Sequence, residues 1–364
     1  MALTETNKGN HYGLILAGGR GTRFWPRSRR SHAKQVLRFM GDRSLIQATV
    51  DRLRPVLPPE RIWILTSEHL DDEIVHQLPE VPREQILAEP AQRNTAPAIG
   101  LAAQILNSLD PDSVMGVFPA DHLISKPERY LQFVGAALEA AGKGKIAVLG
   151  IQPRWPETGY GYIEFPKDVQ AGGTEPFAVS AFHEKPCHAK AEEYFRAGNY
   201  YWNAGMFFWK TSVLLEALHK FLPKTAALLA SLPKFGESQF MAKLEEIFPL
   251  TENISIDFAV LEKVSAITGF AADDIGWSDI GSWNAVYELL PHDADGNVTR
   301  SEALVHKSSG NYVDAVGKLV ALLGVENLIV VDTPDALLIA DRSRAQEVGN
   351  LVKLLEEQKR KELL

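Results

Sequence analysis

The sequence predicts an α/β protein with a Rossmann-like, doubly wound and mostly parallel sheet, followed by a small C-terminal β domain and a terminal helix. Over about the first 150 residues, short apolar runs rich in β-branched residues alternate with stretches of helical spacing. Alternation at this interval is typical of parallel sheets with helices on both faces. After Pro291 the helices give way to short apolar runs separated by turns. The predicted domains are residues 1–290 and 291–364.

Each apolar run has the length of a buried strand, and each helical stretch places its apolar residues on one face. The predicted strands of the larger domain are Gly13–Ala17, Ile62–Thr66, Gln85–Ala88, Val114–Pro119 and Ile146–Ile151. The predicted helices are Ser44–Leu57, His69–Leu78, Ala96–Leu109 and Glu128–Ala141. The predicted C-terminal strands are Glu302–His306, Asn311–Ala315, Leu319–Leu323, Leu328–Val331 and Ala336–Ala340. A capping box at Ser343 and Gln346 predicts the start of the final helix.

Composition excludes several classes of protein. The 364 residues are 45% hydrophobic and 23% charged with a net charge of −8, which argues against a general nucleic-acid binder because such proteins present a basic surface. A single cysteine, Cys187, excludes an internal disulfide and a cysteine-cluster metal site. The N-terminus lacks the apolar core of a signal peptide, and no apolar run approaches the ~20 residues of a membrane span. We therefore expect a soluble, cytoplasmic enzyme without a membrane partner.

The first predicted strand leads into a glycine-rich and strongly basic segment, residues 18–38, which we call the basic loop. It contains seven Lys or Arg residues and no Asp or Glu. Glycines let backbone N–H groups approach phosphates closely, and cations offset the phosphate charge. Since ligands of such sheets bind at the carboxyl ends of the strands, the loop predicts a polyphosphate site. A glycine turn followed by a solvated basic face is the alternative interpretation.

Two commoner glycine loops do not fit the spacing. A Walker loop requires Gly-Lys-Ser/Thr four residues after its first glycine, and no such sequence occurs here. The dinucleotide fingerprint G-x-G-x-x-G would begin at Gly19 and Gly21, but Phe24 replaces its third glycine. The spacing therefore disfavours a hydride-transferring dehydrogenase.

Three further positions carry polar residues where a ligand could use them. Thr95 is expected to cap a helix whose first turn would offer free N–H groups. Asp121 follows a predicted strand; such an Asp is more often a turn residue, but beside a triphosphate it would need a divalent cation. Asn203 lies in an apolar aromatic run and needs hydrogen-bond partners, which sugar hydroxyls would supply.

These segments resemble the motifs of the sugar-1-phosphate nucleotidyltransferases, in particular the mannose-1-phosphate guanylyltransferase branch. The resemblance covers about Tyr12 to Leu355. Its motifs are GGRGTRFWP with Lys34-Gln35, EPAQRNTAPA from Glu89, VFPADH from Val117, TGYGYI from Thr158, FHEKP from Phe182, YYWNAG from Tyr200, GWSDIGSW from Gly276 and VVDTPDALLIADRSRAQ from Val330. One departure is Ala33, where the family usually has Pro before the lysine.

The resemblance implies a role for each motif residue. It implies three catalytic cations, two Mg²⁺ ligands, three sugar contacts and a set of nucleotide contacts. Among the nucleotide contacts, the Glu89 carboxylate would accept from the N1 and N2 donors of guanine. The catalytic residues would be Arg23, Lys34 and Lys185, and the Mg²⁺ ligands Asp121 and Asp279. The sugar contacts would be Gly161, Glu184 and Asn203. The nucleotide contacts would be Ala17, Gly18, Gly19, Gly21, Thr22, Glu89, Asn94 and Thr95.

The implied reaction is transfer of GMP from GTP to mannose 1-phosphate by in-line attack on the α-phosphorus, with release of pyrophosphate. Two alternatives stay open: transfer to another sugar 1-phosphate, such as glucose or manno-heptose 1-phosphate, and a non-catalytic nucleotide-sugar sensor. Longer members of the family continue into a sugar-isomerase cupin domain, for which this chain has no room. We therefore expect no phosphomannose isomerase activity. The terminal β domain and helix would suit a homodimer contact.

Overall fold

The computed structural model describes residues 9–364; the N-terminal segment considered above as a possible signal peptide lies mainly outside this range. The strands of the larger domain are β1 (His11–Ala17), β2 (Ile62–Ser67), β3 (Ile86–Glu89), β4 (Val114–Pro119), β5 (Leu123–Ile124), β6 (Ile146–Ile151), β7 (Tyr162–Glu164), β8 (Phe177–Ala178), β9 (Ala181–His183), β10 (Tyr200–Lys210), β11 (Ile267–Ala272) and β12 (Trp277–Ser278). Its helices are α1 (Leu45–Leu53), α2 (Asp71–Gln77), α3 (Thr95–Leu109), α4 (Pro127–Gly142), α5 (His188–Ala197), α6 (Thr211–Phe221), α7 (Pro223–Ala230), α8 (Phe240–Ile247) and α9 (Trp283–Leu289). Every strand and helix predicted for the first domain is present, with ends shifted by a few residues.

The large sheet has the strand order β3-β2-β1-β4-β10-β6-β11-β8. Neighbouring strands on both sides of β10 pair in parallel: β2 with β3, β1 with β2 and β4, and β6 with β11. β10 is antiparallel to β4 and β6 and also pairs with β7, which continues to β9. The predicted α/β class with a mostly parallel sheet is therefore confirmed, with one long antiparallel strand near its centre and a short antiparallel strand, β8, at one edge.

Helices cover both faces of this sheet. Two adjacent residues of β1 illustrate this. Ile15 packs among side chains of α1, α2 and α4, whereas Leu14 packs among those of α3, α6, α7 and α8. Both side chains are fully buried. A strand buried on both faces has no polar alternation, and this explains its continuous apolar sequence. The end of β1 therefore presents the basic loop at the sheet edge where α/β proteins bind ligands.

The C-terminal domain is built from short parallel coils. Its strands are β13 (Val298–Thr299), β14 (Ala303–His306), β15 (Tyr312–Asp314), β16 (Val320–Leu323), β17 (Leu328–Asp332) and β18 (Leu337–Asp341), followed by α10 (Val348–Glu357). β13, β15 and β17 pair in parallel on one side, and β14 pairs in parallel with β16 on another. Buried Asn311 joins successive coils, since it donates to Asn297 Oδ1 and accepts from the backbone N–H of Leu328, both at 2.9 Å. The predicted small β domain and terminal helix are confirmed.

Two predicted helix caps are wrong. Asn94 rather than Thr95 caps α3, because the Asn94 side chain accepts from the Thr95 N–H at 2.9 Å. The expected capping box at Ser343 does not form; Asp341 accepts from the Ser343 N–H at 2.8 Å and starts a 3₁₀ segment, Arg342–Glu347, ahead of α10. In both places an Asn or Asp side chain one or two residues earlier reaches the free N–H groups first.

No helix of residues 9–364 is long and apolar enough to cross a membrane.

The C-terminal domain shares a hydrophobic core with the basic loop. Phe24 and Trp25 of the loop are buried together with Trp283, Tyr312 and Val348. The rings of Phe24 and Trp283 meet edge to face with their centroids 5.2 Å apart. The loop is therefore held between the large sheet and the C-terminal domain, so that its conformation depends on both.

Candidate active site

The glycines of the basic loop allow a close turn against Lys34. Gly21 has a φ of 61°, and a Cβ atom there would lie 2.5 Å from the Lys34 Cβ. Gln35 closes the turn, since its Nε2 donates to the backbone oxygens of Ala17 at 2.6 Å and Gly19 at 3.0 Å. Only glycine adopts this conformation in this space without strain.

A cavity of about 650 Å³ opens beside this turn. It lies between the ends of β1, β2 and β3 and the N-terminus of α3. Of the eight predicted nucleotide contacts, seven line it, namely Gly18, Gly19, Gly21, Thr22, Glu89, Asn94 and Thr95. Ala17 is buried at the end of β1 just behind them. Sequence reasoning missed other lining residues, among them Ser67 and Arg93.

Glu89 is a carboxyl group that lines this cavity and forms no ion pair within residues 9–364. It ends β3, and one of its oxygens lies 3.6 Å from where a Gly18 Cβ would be. Burial raises the pKa of Glu89 to about 8, because desolvation disfavours the charged form of a carboxyl group that has no ion-pair partner. The group is therefore mostly protonated at pH 7, and a ligand that donates hydrogen bonds would favour its ionised form.

Helix α3 directs its N-terminus at the same cavity. Asn94 precedes it with a φ of 65°, and Thr95 is its first residue. The Thr95 hydroxyl accepts from the backbone N–H of Ile256 at 2.9 Å, which fixes the helix start against a neighbouring segment. The N-terminus of a 15-residue helix such as this one favours anions or hydrogen-bond acceptors.

The pairing of β5 with β12 brings the two predicted metal ligands together. Leu123 lies opposite Ser278 in this antiparallel pair, so the turn that contains Asp121 lies beside the turn that contains Asp279. Lys34 joins the two turns, since its Nζ donates to Asp121 Oδ2 at 2.8 Å and to the backbone oxygen of Asp279. Two segments more than 150 residues apart are thereby held at one point beside the basic loop.

Asp121, His122 and Tyr160 surround this point and have shifted pKa values. Burial alone would raise the pKa of Asp121, but the charge of Lys34 and the hydrogen bond from Lys34 help to lower that pKa below its usual value. Burial lowers the pKa of His122 to about 4, so its imidazole is neutral at pH 7 and its Nδ1 accepts from Trp277 Nε1 at 3.2 Å. Tyr160 donates to Asp279 Oδ1 at 2.6 Å, and burial followed by the Asp279 charge raises the pKa of this tyrosine.

Asp121 and Asp279 have the donor chemistry to serve as two ligands of a divalent cation. Their carboxylates are the oxygen donors that Mg²⁺ prefers. Lys34 and Tyr160 each occupy one oxygen of one carboxylate, and the second oxygen of each is free of side-chain hydrogen bonds within residues 9–364. No group of three or more His, Cys, Asp or Glu in that range could hold an ion by itself. Phosphate oxygens or water would have to complete the coordination.

The predicted sugar contacts meet where β7, β9 and β10 pair. Tyr162 of β7 lies opposite His183 and Trp202, which brings the neighbouring Gly161, Glu184 and Asn203 together. A Cβ on Gly161 would lie 2.5 Å from a Glu184 oxygen and 3.4 Å from the Asn203 Cβ. Since Tyr160 contacts Asp279, this cluster is continuous with the two aspartates.

Asp257, which sequence reasoning missed, completes the cluster. Asn203 Nδ2 donates to Asp257 Oδ1, and Asn203 Oδ1 accepts from the Gly205 N–H, both at 3.0 Å. The expectation that Asn203 needs a sugar for partners is therefore wrong, because the protein supplies them. Burial and then repulsion by Glu184 raise the pKa of Asp257 to about 6. An Asp within the apolar run ISIDFAV was the available signal, by the same reasoning applied to Asn203.

Lys185, one of the predicted catalytic residues, is exposed. Its side chain is 63% exposed, and its ammonium lies 2.8 Å from Glu184 Oε1. The backbone at Lys185 has a φ of 43°. A lysine held by one carboxylate at the edge of the cluster retains room to contact an incoming anion.

Most cations of the basic loop form ion pairs with carboxylates of the protein. Four arginines pair with carboxylates of the C-terminal domain, and Lys34 pairs with Asp121. The pairs are Arg20–Glu356 at 2.7 Å, Arg27–Asp314 at 2.5 Å, Arg29–Asp335 at 2.9 Å, Arg30–Glu356 at 3.6 Å and Lys34–Asp121 at 2.8 Å. Four of the loop's basic side chains therefore help to attach the C-terminal domain to the loop. Arg23 differs, because it donates to Gly281 O and Gln346 Oε1, both at 2.8 Å.

Comparison with known proteins agrees with this geometry. The family described as Nucleotidyl transferase matches residues 12–296, and the family described as MannoseP isomerase/GMP-like beta-helix domain matches residues 302–355. The mannose-1-phosphate guanylyltransferase of Klebsiella pneumoniae is 39% identical over 355 residues, which are 96% of this chain and 74% of that protein. The alginate biosynthesis protein AlgA of Pseudomonas aeruginosa is 38% identical over 363 residues, with coverage of 96% and 73%.

A solved structure shows the same architecture over nearly the whole chain. It is a Thermus thermophilus protein described as mannose-1-phosphate geranyltransferase, with a TM-score of 0.83, 32% identity and coverage of 95% of this chain and 99% of that one. The chain therefore belongs to the nucleotidyl transferase family of enzymes. Within that family, it belongs to the branch of the mannose-1-phosphate guanylyltransferases.

Proposed function

We propose that this enzyme transfers GMP from GTP to α-D-mannose 1-phosphate and releases pyrophosphate. The observation that carries the proposal is the continuity of three groups of residues: the glycine-lined cavity, the two aspartates and the carboxylate-rich cluster around Asn203. Tyr160 links the second group to the third, and Lys34 links the first to the second. The relatives named mannose-1-phosphate guanylyltransferase support mannose 1-phosphate and a guanine nucleotide as the substrates.

The cavity would hold the nucleotide. Backbone N–H groups of Gly18, Gly19 and Gly21 would approach the phosphates, since no side chain blocks them. Glu89 would accept hydrogen bonds from N1 and N2 of guanine, two donors that adenine does not offer together. The N-terminus of α3, with Asn94 and Thr95, would face the same base. Burial of Glu89 without an ion-pair partner in residues 9–364 supports this role, because a ligand with donors would offset its desolvation.

The carboxylate cluster would hold the sugar. Glu184, Asn203 and Asp257 present acceptors and a donor to vicinal hydroxyls, and Gly161 leaves them the space. Lys185 would contact the phosphate of the sugar as a point charge. Asp257 joins the proposed set because it is the direct partner of Asn203.

The chemistry would be a single in-line displacement. A phosphate oxygen of the sugar phosphate forms a bond to the α-phosphorus of GTP, and the bond from that phosphorus to the bridging oxygen of pyrophosphate breaks. The attacking phosphate is already ionised, so no covalent nucleophile of the protein is needed. Arg23 and Lys34 would stabilise charge on the α-phosphate and the departing pyrophosphate. Asp121 and Asp279 would hold Mg²⁺, which when bound supplies further neutralisation between the two substrates.

The experiment that tests this proposal measures pyrophosphate release for all pairings of GTP, ATP, UTP and dTTP with the 1-phosphates of mannose, glucose and manno-heptose. We expect GTP with mannose 1-phosphate to give the highest kcat/KM, with Mg²⁺ required. A different preferred sugar would overturn the roles of Glu184, Asn203 and Asp257. A different preferred base would overturn the role of Glu89. Absence of turnover with every pair would overturn the proposal.

We further propose that residues 291–364 form a domain that packs on residues 1–290 and pairs with a second copy of the chain. Large apolar side chains are exposed on its coils: Leu304 is 62% exposed, Leu323 71% and Ile339 62%. An exposed apolar face on a small domain is typical of a protein interface. Light scattering should give a dimer for the wild type and a monomer for Leu323→Asp. A monomeric wild type would contradict this proposal.

A further inference from the structure

Arg23 is held in a different way from the other paired cations of the basic loop. Its Nη1 carries two N–H groups, and one donates to the backbone oxygen of Gly281 and the other to the side-chain oxygen of Gln346, both at 2.8 Å. Its Nη2 and Nε make no hydrogen bond with any residue of the described range 9–364. The guanidinium edge formed by Nε and Nη2 is the edge that binds a phosphate through two parallel hydrogen bonds.

The two acceptors are neutral oxygens. Arg20, Arg27, Arg29 and Arg30 are instead paired with carboxylates, and Arg38 makes no ion pair within residues 9–364. Among these arginines, Arg23 therefore combines two anchoring hydrogen bonds to neutral oxygens with the absence of an ion pair within residues 9–364. A carbonyl or amide oxygen fixes a guanidinium by hydrogen bonding, whereas a carboxylate also cancels its charge.

Gln346 reaches Arg23 because the C-terminal domain is packed tightly on the loop. It belongs to the 3₁₀ segment Arg342–Glu347, whose Ala345 is buried in the core shared with Phe24 and Trp25. A Cβ atom on Gly349 would lie 3.2 Å from the Thr22 hydroxyl, so the backbone of α10 lies directly against the loop. On the other side, Gly281 follows Asp279 closely in sequence, which places Arg23 beside one of the candidate metal ligands.

We propose that Gln346 is a positioning residue for the transfer reaction, through which the C-terminal domain orients Arg23 toward the phosphates while leaving its charge intact. This inference rests on the proposed function, in which Arg23 contacts the nucleotide phosphates. It assigns to the C-terminal domain a direct part in catalysis, in addition to stabilising the fold. It also explains why an amide occupies this position when carboxylates serve the other arginines.

The test compares Gln346→Ala with Gln346→Glu. The alanine variant removes one anchor, and we expect kcat to fall by about 10–100-fold, as for other residues that orient a reacting group. The glutamate variant keeps an acceptor at the same place but neutralises Arg23, and we expect its kcat to fall at least as far. If Gln346 served only to pack or to orient, the glutamate variant would retain nearly wild-type kcat, and that result would overturn the proposal.

A double-mutant cycle shows whether Gln346 acts through Arg23. In the Arg23→Ala background, Gln346→Ala should change kcat by less than about twofold, because the group that it positions is gone. Effects that multiply in the double variant would overturn the proposal, as would a normal kcat in Arg23→Ala alone. Arg344→Ala is the matched control, since Arg344 is exposed on the same segment and pairs only with Glu347.

Two further measurements separate this inference from the proposed function. Thermal unfolding of each variant shows whether a loss of kcat reflects a loss of the fold. GTP affinity, measured by calorimetry without the sugar phosphate, should weaken in Gln346→Ala and Gln346→Glu but not in Arg344→Ala. If the wild type transfers GMP but both Gln346 variants behave like the wild type in all assays, the inference alone fails. If the wild type binds GTP and transfers nothing, the proposed function fails.

Discussion

The Nζ of Lys34 lies 2.8 Å from Asp121 Oδ2, and the same ammonium donates to the backbone oxygen of Asp279. One buried cation of the basic loop therefore holds together two turns that come from distant parts of the sequence. This relationship places the two candidate metal ligands beside the glycine-lined cavity before any substrate arrives. Lys34 thus has a structural role in addition to the catalytic role proposed for it.

Replacing Lys34 should affect both activity and stability. We expect Lys34→Ala to lower kcat by about 10²–10³, the usual effect of removing one group that stabilises a charged transition state. The variant should also lose about 1–3 kcal/mol of unfolding free energy, an intermediate value because Lys34 is buried while the Asp121 side chain is 37% exposed. Pyrophosphate release and urea denaturation measure the two effects. Arg38→Ala, which breaks no ion pair, is the control, and equal behaviour of the two variants would contradict the assignment.

Glu89 should couple nucleotide binding to proton release. Its pKa of about 8 in the free protein means that it is mostly protonated at pH 7. Guanine donors would favour the carboxylate and shift this pKa to well below 7. GTP should therefore release about one proton on binding at pH 7. Calorimetry in two buffers of different ionisation enthalpy counts the proton. Glu89→Gln should release none and should lose about 10–100-fold in preference for GTP over ATP; equal release by both proteins would refute the base contact.

Glu89 should also make stability depend on pH in a definite direction. Its pKa is higher in the folded than in the unfolded protein, where it is near 4.5, so the folded protein binds more protons between about pH 4.5 and pH 8. Stability contributed by this group is therefore present at the acidic end of that window and lost as the pH rises through it. As the pH rises through this window, the melting temperature of the wild type should fall relative to that of Glu89→Gln. A constant difference across the window would contradict the raised pKa.

Asp257 should make sugar binding sensitive to acid. Burial and the charge of Glu184 raise its pKa to about 6, so below about pH 6 it is protonated and is a poorer acceptor for sugar hydroxyls. The ratio of kcat/KM for mannose 1-phosphate between wild type and Asp257→Asn should be about 10–100 near pH 7.5 and should fall toward one near pH 5. The ratio removes the titration of the substrate phosphate itself. A ratio that does not change with pH would exclude the role.

The glycines of the basic loop should differ in their tolerance of a methyl group. Gly21→Ala combines a left-handed φ of 61° with a contact of 2.5 Å to the Lys34 Cβ, and we expect a loss of about 2–4 kcal/mol in unfolding free energy. Gly19→Ala meets no atom within 4 Å and should keep wild-type stability while weakening GTP binding. Chemical denaturation and calorimetry separate these outcomes. Equal stability of the two variants would contradict the described turn.

The sequence allowed prediction of those features that depend on local signals. The strands β1 to β4 and the helices between them follow from apolar runs and helical spacing, and the turn at Gly21 follows from its glycines. The parallel coils of the C-terminal domain were not predicted, because short strands with regular turns fit several β architectures. Pairing partners such as Asn297 and Asn311 become visible only when successive coils stack.

Parts of the candidate site were beyond prediction for a related reason. Asp257 and Gln346 form hydrogen bonds with Asn203 and Arg23, which lie more than 50 and more than 300 residues away in sequence. The partners of the loop arginines were also missed, because a run of cations gives no indication of which distant carboxylates it meets. The position of each motif was predictable from local pattern, but its hydrogen-bond partners depended on the fold.

Product analysis tests the central claim most directly. Purified protein is mixed with GTP, mannose 1-phosphate and Mg²⁺, and the phosphorus-containing species are followed by NMR. The account predicts that both substrates are consumed in equal amounts and that GDP-mannose and pyrophosphate appear in that same amount, with loss of both products when Asp121→Asn replaces the wild type. Hydrolysis of GTP without a nucleotide sugar, or undiminished formation of GDP-mannose by Asp121→Asn, would contradict it.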